Sequence, residues 1–262
     1  MMPSVPSRLI RMARSALSAM FFAGFGVGGM FLGILLSGMS FLSGHSQTWR
    51  RRMRKCVRAS YRLFVWAADA TGLFRVAISP GDRQILATAH GCVVASSHPS
   101  LIDVIILMAL LPDSTSVAKS AARRNFFYSR VVGSAFLVND DPIGVLSDAS
   151  KLLAEGVNVI VFPEGTRTPV NAPSHRLKRG AAQIALHASA PILCVSIESD
   201  PPVLAKRQPW WDVGDRIIRY EIKLHGTIEP QSLPQNGTAR SAAVALTNAI
   251  GYRLWPDTFH SN

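Results

Sequence analysis

The part of the chain after Gly72 alternates short apolar runs with longer stretches of helical periodicity. The runs that resemble strands are 74–78, 92–96, 135–138, 157–162, 192–197 and 217–224. The stretches that resemble helices are 101–111, 143–155, 180–189 and 239–253. Apolar runs of strand length that are separated by helices indicate a sheet with helices packed on it. The sequence therefore predicts the α/β class, a mixed sheet with flanking helices, for a domain at residues 73–262.

A long uncharged segment precedes this domain, because no charged residue occurs between Ser15 and Gly44. Its apolar part, 16–42, is long enough to cross a hydrocarbon core of about 30 Å. Glycines within 24–33 permit close contact with another helix. A cleaved signal peptide and an internal core helix are the alternatives, but the length disfavours both and no clear cleavage site follows. We expect a spanning or re-entrant membrane anchor within residues 1–72.

A basic stretch comes directly after the apolar segment. Seven Lys or Arg residues lie between Arg50 and Arg62, against three before the apolar segment. The positive-inside rule then predicts that residues 73–262 face the cytoplasm from the inner membrane. One helical face of the stretch is basic and the other apolar, which favours a helix lying on an anionic leaflet, with a solvated face of a globular domain as the alternative. The apolar positions are Trp49, Met53, Val57, Tyr61 and Phe64.

The overall charge narrows the choice of partner. The formal net charge of +12 and the isoelectric point near 10.5 indicate an anionic partner. Nucleic acid is disfavoured, because the basic stretch adjoins the apolar segment and the chain has no recognisable nucleic-acid-reading module. Cys56, Cys92 and Cys194 have neither metal-ligand spacing nor the pattern of a disulfide framework. We therefore expect reduced thiols and no metal site.

A histidine and an aspartate stand five positions apart, at His98 and Asp103, between a predicted strand and a predicted helix. A carboxylate at the start of a helix can accept a hydrogen bond from an imidazole, fix its tautomer and raise its basicity. The pair therefore predicts a general base for a hydroxyl group or a water molecule. A nucleophilic serine is a weaker alternative, and the other histidines near the predicted strands show no partner spacing. The residues concerned are Ser96, Ser97 and Ser100, and His90, His175 and His187.

A second motif lies about sixty residues further on, at 162–168, Phe-Pro-Glu-Gly-Thr-Arg-Thr. In this order and at this distance, the two motifs resemble the first and third blocks of the glycerolipid acyltransferases, whose best-known members are the 1-acylglycerol-3-phosphate acyltransferases. Two smaller matches support the resemblance, which covers roughly residues 75–200. Lys119 resembles the family's lysine after the first block, and 177–180, Leu-Lys-Arg-Gly, resembles its Phe-Lys-x-Gly element.

The resemblance implies transfer of a fatty acyl group to a hydroxyl of a lysophospholipid such as 1-acylglycerol-3-phosphate. Acyl-carrier protein or coenzyme A would carry the acyl group as a thioester co-substrate, and no cofactor is needed. His98 would be the base and Asp103 its partner, with backbone amides after Pro99, or Lys119, stabilising the oxyanion. The residues expected to bind substrate are Lys119, Glu164, Gly165, Thr166, Arg167 and Lys178.

The residue types in the second motif fit these roles. Gly165 lets the backbone approach a ligand closely, and Thr166 and Arg167 offer a hydroxyl and a guanidinium suited to a phosphate. Lys178 can add a phosphate contact. Glu164 is expected to bind acceptor hydroxyls or to hold Arg167. Because the resemblance implies a lysophospholipid acceptor, membrane lipids are expected as partners, together with the acyl-carrier protein or coenzyme A that carries the thioester.

Two departures from the family pattern concern the acceptor. The second block, 133–139, ends in Asn139, where the family has an arginine associated with the acceptor's phosphate. The fourth block has Pro191, but Cys194 stands at the second proline position. The segment 200–211 resembles a subgroup from aryl-polyene or other polyketide-like lipid pathways. These departures leave a lipid acceptor other than a glycerophosphate as an alternative. Two further alternatives are a thioesterase that uses the same dyad and a non-enzymatic lipid-binding protein.

Overall fold

The structure, a computed structural model, describes residues 5–43, 46–118, 136–138, 141–168, 172, 175–206, 208–232 and 238–259. The described helices are α1 (Val5–Ser43), α2 (Gln47–Ala70), α3 (Pro80–Thr88), α4 (Asp103–Leu110), α5 (Pro142–Ala154), α6 (Gly180–Ala188) and α7 (Ala239–Leu254). The strands are β1 (Phe74–Ile78), β2 (Val93–Ser96), β3 (Ser114–Ala118), β4 (Phe136–Val138), β5 (Asn158–Val161), β6 (Ile192–Asp200) and β7 (Ile218–Ile228). A 3-10 turn follows at Pro230–Ser232.

These strands form one sheet in the order β1-β7-β6-β2-β5-β3-β4. The pairing is parallel except between β6 and β7, which run antiparallel. β1 and β7 therefore run opposite to the other five strands, and the carboxyl ends of β2, β5 and β3 meet at one edge. The predicted mixed sheet with flanking helices is confirmed.

The two faces of the sheet are covered by different helices. Val94 and Ile160 belong to a core shared with α2 and α4, whereas Val93 and Val159 belong to a second core shared with α5, α6 and α7. Successive side chains of a strand point to opposite faces, so β2 and β5 contribute to both cores. Strands buried on both faces are the reason that the sequence shows continuous apolar runs there.

Two elements were absent from the sequence prediction. β3 reads Ser-Thr-Ser-Val-Ala, and its first three residues are buried although they are polar, so no apolar run marks it. α3 is short and largely exposed. The Ser79 side chain accepts a hydrogen bond from the Asp82 N–H, and Pro80 occupies the first turn, which are the usual signals of a helix start.

The basic helix α2 packs against the domain along much of its length. Its five predicted apolar positions are all buried, and it contacts α4. Arg54 forms an ion pair with Asp113 at 2.6 Å. The apolar face of α2 therefore packs within the protein. This matches the alternative given above, a helix of a globular domain with a solvated basic face, and not a helix whose apolar face lies on lipid. The boundary predicted at residue 72 follows the end of α2, but α2 shares its core with the sheet.

The apolar helix α1 lies along α2. Phe21 and Phe25 pack on Phe64 with ring centroids 4.8 and 4.4 Å apart. Within the described residues one helical stretch, Arg8–Leu35, is long and apolar enough to cross a membrane. Three of its glycines make no close contact with another helix, since a Cβ at Gly24, Gly28 or Gly29 would have no neighbour within 4 Å. They line an apolar groove of about 550 Å³ between the two helices.

Candidate active site

The two sequence motifs meet because β2 and β5 are neighbouring parallel strands. β2 ends at Ser96, just before His98, and β5 ends at Val161, just before 162–168. The carboxyl ends of neighbouring parallel strands lie at the same edge of a sheet, where loops build sites. Two direct bonds join the motifs there. The His98 N–H donates to Glu164 Oε2 at 2.8 Å, and the Thr168 N–H donates to the His98 carbonyl at 3.0 Å.

His98 and Asp103 form the predicted imidazole–carboxylate pair. The distance from His98 Nδ1 to Asp103 Oδ2 is 2.9 Å. A carboxylate only accepts, so Nδ1 carries the proton of a neutral ring and Nε2 keeps its lone pair. The His98 side chain is 20% exposed, whereas that of Asp103 is fully buried. Phe162 stacks on the imidazole with centroids 4.1 Å apart, which restricts the plane of the ring.

Asp103 is held by its own turn as well as by His98. Its Oδ2 accepts the Ser100 N–H at 2.7 Å and its Oδ1 accepts the Ser100 hydroxyl at 2.5 Å. The residue also begins α4, where the helix N-terminus favours a negative charge. Tyr220 is fully buried behind this turn, and burial raises the pKa of its phenol, with the Asp103 charge adding to the effect. Asp103 is therefore a fixed hydrogen-bond acceptor for the imidazole.

The serines near His98 are engaged in other bonds. The Ser96 hydroxyl donates to the Ser97 carbonyl, and the Ser97 hydroxyl to the Ile197 carbonyl. These two serines and Ser100 are all buried. A nucleophilic role therefore has no support in this geometry.

The expected oxyanion donors after Pro99 are engaged as well. The N–H groups of Ser100, Leu101 and Ile102 donate to Asp103, to the Leu204 carbonyl and to the Ser100 hydroxyl. These three amides are therefore bonded within the protein, and the expectation of oxyanion donors at the helix start stays a prediction for the amides from Asp103 onward. Lys119, the other candidate donor, lies outside the described residues, as does Asn139.

Glu164 is buried and faces inward. Its Oε2 accepts the His98 N–H, and its Oε1 lies 3.1 Å from His175 Nδ1. Burial raises the pKa of Glu164, while hydrogen bonds from His175, His98 and Thr168 act in the opposite direction. The expectation that Glu164 holds Arg167 is wrong for the described geometry, because its oxygens contact the His98 turn and His175.

His175 was not expected near the site. It is buried, and its ring stacks on Trp255 with centroids 4.2 Å apart and an interplanar angle of 13°. The sequence carries no signal for this contact, since His175 lies in a loop eleven positions after Glu164. Ser100 and Phe162 were also missed as supporting residues, although both stand inside the recognised motifs.

Gly165 and Lys178 form a close crossing of two chain segments. Gly165 has a φ of +65°, and a Cβ there would lie 2.9 Å from the Cδ and Cε atoms of Lys178. The Lys178 N–H donates to the Pro163 carbonyl at 2.7 Å. The absence of a side chain at Gly165 therefore leaves room for the Lys178 side chain beside the second motif.

Arg167 is partly engaged by the loop that follows β6. Its Nη1 donates to the carbonyls of Leu204 and Ala205 at 2.8 and 3.2 Å. Thr166 is half-buried next to it, and the Thr168 hydroxyl donates to the Thr166 carbonyl. The loop thus orients the guanidinium, whose remaining nitrogens have no bonded partner among the described residues. Across those residues no group of three His, Cys, Asp or Glu side chains could hold a metal ion.

Comparisons with known proteins match the central part of the chain. Residues 77–198 match the family model named Acyltransferase. The 1-acyl-sn-glycerol-3-phosphate acyltransferase beta of Homo sapiens is 30% identical over 128 residues, which are 45% of this chain and 45% of that protein. The 1-acyl-sn-glycerol-3-phosphate acyltransferase of Bacillus subtilis (strain 168) is 35% identical over 121 residues, 43% of this chain and 58% of that protein. The chain thus spans about half the length of the curated relatives it matches.

A solved structure shares the fold over nearly the whole chain. It is the crystal structure of the 1-acyl-sn-glycerophosphate (LPA) acyltransferase PlsC from Thermotoga maritima, with a TM-score of 0.61 and 19% sequence identity. The similarity covers 92% of this chain and 96% of that chain. Residues 77–198 therefore form an acyltransferase domain by their family-model match, the common fold agrees with it, and the curated relatives support a place in the glycerolipid acyltransferase family.

Proposed function

We propose that the whole protein is an acyltransferase that moves a fatty acyl group from a thioester to a hydroxyl of a lysophospholipid. The observation that carries this proposal is the 2.9 Å contact between His98 Nδ1 and Asp103, at the sheet edge where 162–168 also lies. The names of the relatives support an acceptor of the 1-acylglycerol-3-phosphate type. The two motifs provide the base and the phosphate-binding groups of such a reaction.

The chemistry follows from the free nitrogen of His98. Nε2 removes the proton from the acceptor hydroxyl while that oxygen attacks the thioester carbonyl carbon. The tetrahedral intermediate then collapses, the carbon–sulfur bond breaks and the imidazolium returns the proton to the leaving thiolate. Asp103 stabilises the imidazolium between these two steps, and no covalent acyl-enzyme is needed. The products are the acylated lipid and the free thiol of the carrier.

The acceptor phosphate would bind beside His98 at the second motif. Thr166, the Arg167 nitrogens that have no bonded partner among the described residues, and the amine of Lys178 are the described groups for this role, with Lys119 as a further candidate. Asn139 leaves open a non-glycerophosphate acceptor of the aryl-polyene-like kind. Acyl-carrier protein or coenzyme A would bring the acyl group, and both are anionic partners for a chain with a net charge of +12.

The apolar surface supports work at a membrane. Eight large apolar side chains are exposed in the part of α1 whose burial is described, and only 11% of its most apolar stretch is buried. We propose that this surface contacts the inner membrane and that the catalytic domain faces the cytoplasm. Acceptor and product would then stay in the bilayer. The exposed side chains on α1 are Leu9, Ile10, Met12, Met20, Val27, Phe31, Ile34 and Leu35.

A direct assay tests the reaction. The full-length protein in lipid vesicles is given a panel of lysolipids with labelled acyl-carrier protein or acyl coenzyme A, and products are identified by mass spectrometry. His98→Ala is expected to lower the transfer rate by about 10²- to 10⁴-fold, the usual share of a general base. The matched control is His90→Ala, because His90 is exposed and its Nδ1 contacts only the Thr88 carbonyl among the described residues. Full transfer by His98→Ala would overturn the mechanism.

The same assay separates the alternatives. A thioesterase would release free fatty acid at a rate that does not depend on any lysolipid, and a lipid-binding protein would turn over nothing. Asn139→Arg tests the acceptor: the affinity for 1-acylglycerol-3-phosphate rises if the missing arginine limits phosphate recognition. Unchanged affinity would count against that explanation and favour a different head group.

A further inference from the structure

A second imidazole–carboxylate pair lies beside the first. Glu164 uses one oxygen to accept the His98 main-chain N–H at 2.8 Å and the other to contact His175 Nδ1 at 3.1 Å. His98 is therefore held by Asp103 at its ring and by Glu164 at its main-chain N–H, besides the bond from the Thr168 N–H to its carbonyl. The proposed reaction uses only the first contact, so the role of His175 is unassigned.

The surroundings of His175 fix the ring. The side chains of His175 and Glu164 are 1% and 2% exposed, so water competes little for their contact. Trp255, directly after α7, covers the flat face of the imidazole at a centroid distance of 4.2 Å. A stacked and buried ring with its Nδ1 aimed at a carboxylate holds that carboxylate in one orientation.

One proton is shared between His175 and Glu164. Either Nδ1–H donates to the carboxylate, or a protonated Glu164 donates to Nδ1. His175 Nε2 is buried and has no hydrogen-bond partner among the described residues. An N–H group at Nε2 would be unpaired there, which is costly, so the hydrogen of the ring lies on Nδ1 and is donated to Glu164 Oε1. An apolar ring at position 175 would fill the same space and leave no unpaired nitrogen. Compared with such a ring, the imidazole adds the hydrogen bond to Glu164.

We propose that His175 is a positioning residue for the base: it fixes Glu164, and Glu164 fixes the His98 turn. This inference rests on the proposed acyl transfer for its kinetic consequence. Without the His175 bond, the buried Glu164 Oε1 would lose its imidazole donor, and the carboxyl group would rotate toward its other donors, the His98 N–H and the Thr168 side chain. The His98 main-chain N–H would then lose its fixed acceptor, and the turn would be held at the His98 carbonyl by Thr168 but not at the N–H. Nε2 would leave the line of attack on the acceptor hydroxyl.

The test separates the hydrogen bond from the stacking. His175→Phe keeps a ring against Trp255 and removes the bond, whereas His175→Asn keeps an N–H donor near the Nδ1 position and removes the ring. We expect His175→Phe to lower kcat by about 10- to 100-fold, the effect of a displacement of about 1 Å, with little change in either KM. His175→Asn should restore most of kcat. The matched control is His187→Phe, at an exposed position of α6.

A second measurement does not depend on turnover. Diethyl pyrocarbonate modifies imidazoles, and mass spectrometry of the His98 peptide gives the rate at that residue alone. His175→Phe should increase the rate of His98 modification several-fold. His175→Asn and His187→Phe should react at His98 at the same rate as the wild-type protein. If His175→Phe does not fold, His175→Leu replaces it, because it also lacks hydrogen-bonding atoms.

The outcomes distinguish this inference from the proposed function. If the wild-type protein transfers no acyl group, the proposed function fails. The rate at which diethyl pyrocarbonate modifies His98 still decides whether His175 positions His98. Unchanged kcat and an unchanged rate at His98 in His175→Phe would overturn the inference. A lower melting temperature in His175→Phe with neither change would assign His175 to stability alone, which also overturns it.

Discussion

Asp103 shows how burial sets the role of a single residue. It is fully buried, yet it accepts bonds from the Ser100 N–H, the Ser100 hydroxyl and the His98 ring. Buried carboxylates persist where their lone pairs are satisfied, and three donors at the start of α4 do so here. The carboxylate therefore has one remaining task, which is to orient and stabilise the imidazole.

Replacement of Asp103 by asparagine tests this role. The amide would present an N–H group toward donors that already occupy the turn, so it would favour the wrong tautomer of His98. We expect kcat to fall by roughly 10³- to 10⁴-fold with KM nearly unchanged, as expected for an orienting carboxylate in a triad. Steady-state kinetics on vesicles measure both constants. A fall of less than tenfold would contradict the role, and Asp148→Asn, at an exposed site on α5, is the control.

Glu164 gives a prediction about pH. Burial raises its pKa, so the folded protein keeps this proton at a pH where the unfolded chain has lost it. The contribution of protonated Glu164 to the free energy of unfolding is therefore complete below the pKa that Glu164 has in the unfolded chain. It is lost as the pH rises through the pKa that Glu164 has in the folded protein. Glu164→Gln removes this dependence. Melting temperatures are measured from about pH 4 to about pH 8. The melting temperature of Glu164→Gln should increase relative to that of the wild-type protein as the pH rises through the range in which carboxyl groups titrate. A constant difference would contradict it.

The residues of the site differ in how far the sequence reveals them. His98 and Asp103 were predictable because five positions across a strand-to-helix turn bring an imidazole to a helix start. The contact between Glu164 and His175 was not, because it depends on how a loop folds back over a sheet edge. Arg167 was recognised, but its bonds to Leu204 and Ala205 depend on a loop that is distant in sequence.

At the scale of an element, the turn after β5 depends on Gly165. Its φ of +65° costs an alanine roughly 1–2 kcal/mol. A Cβ there would also displace the Lys178 side chain. We expect Gly165→Ala to lose stability by about that amount and to raise KM for a phosphate-bearing acceptor about tenfold, the value of one charge-assisted contact.

The matched control for this turn is Gly156→Ala. Gly156 has a φ of +82°, but a Cβ there would meet nothing within 4 Å. Both variants should therefore lose similar stability in thermal melts, and only Gly165→Ala should change KM. An equal KM for the two variants would show that Lys178 does not contact the acceptor.

The elements themselves were predictable to different degrees for a physical reason. β2 and β5 are buried on both faces, so their apolar runs are unmistakable. β3 is buried as well, but its serines and threonine are polar, and tertiary contacts alone make it a strand. α2 was recognised by its period, although only the structure shows that its apolar face meets α4.

At the scale of the whole molecule, α1 lies flat against the domain. Arg14 donates to the carbonyls of Gly72 and Leu73 near one end of the packed region, and Leu32 packs on Trp49 and Met53 near the other. α2 in turn is fixed to the domain through the ion pair of Arg54 with Asp113 and through α4. If α1 crossed the bilayer in this arrangement, the charged face of α2 would enter hydrocarbon, which is costly. We therefore expect α1 to lie within one leaflet.

Accessibility of cysteines at the two ends of α1 tests this topology. Arg8→Cys and Thr48→Cys, each in a Cys56→Ser background, place single exposed thiols near the start of α1 and after its end, in the first turn of α2. Cys92 and Cys194 should not react, because they are buried and burial raises the pKa of their thiols to about 11 and about 12. With α1 in one leaflet, a membrane-impermeant maleimide labels both new thiols in inside-out vesicles and neither in intact spheroplasts. A spanning helix would instead expose position 8 to the outside, so labelling of Arg8→Cys in spheroplasts would contradict the in-plane arrangement.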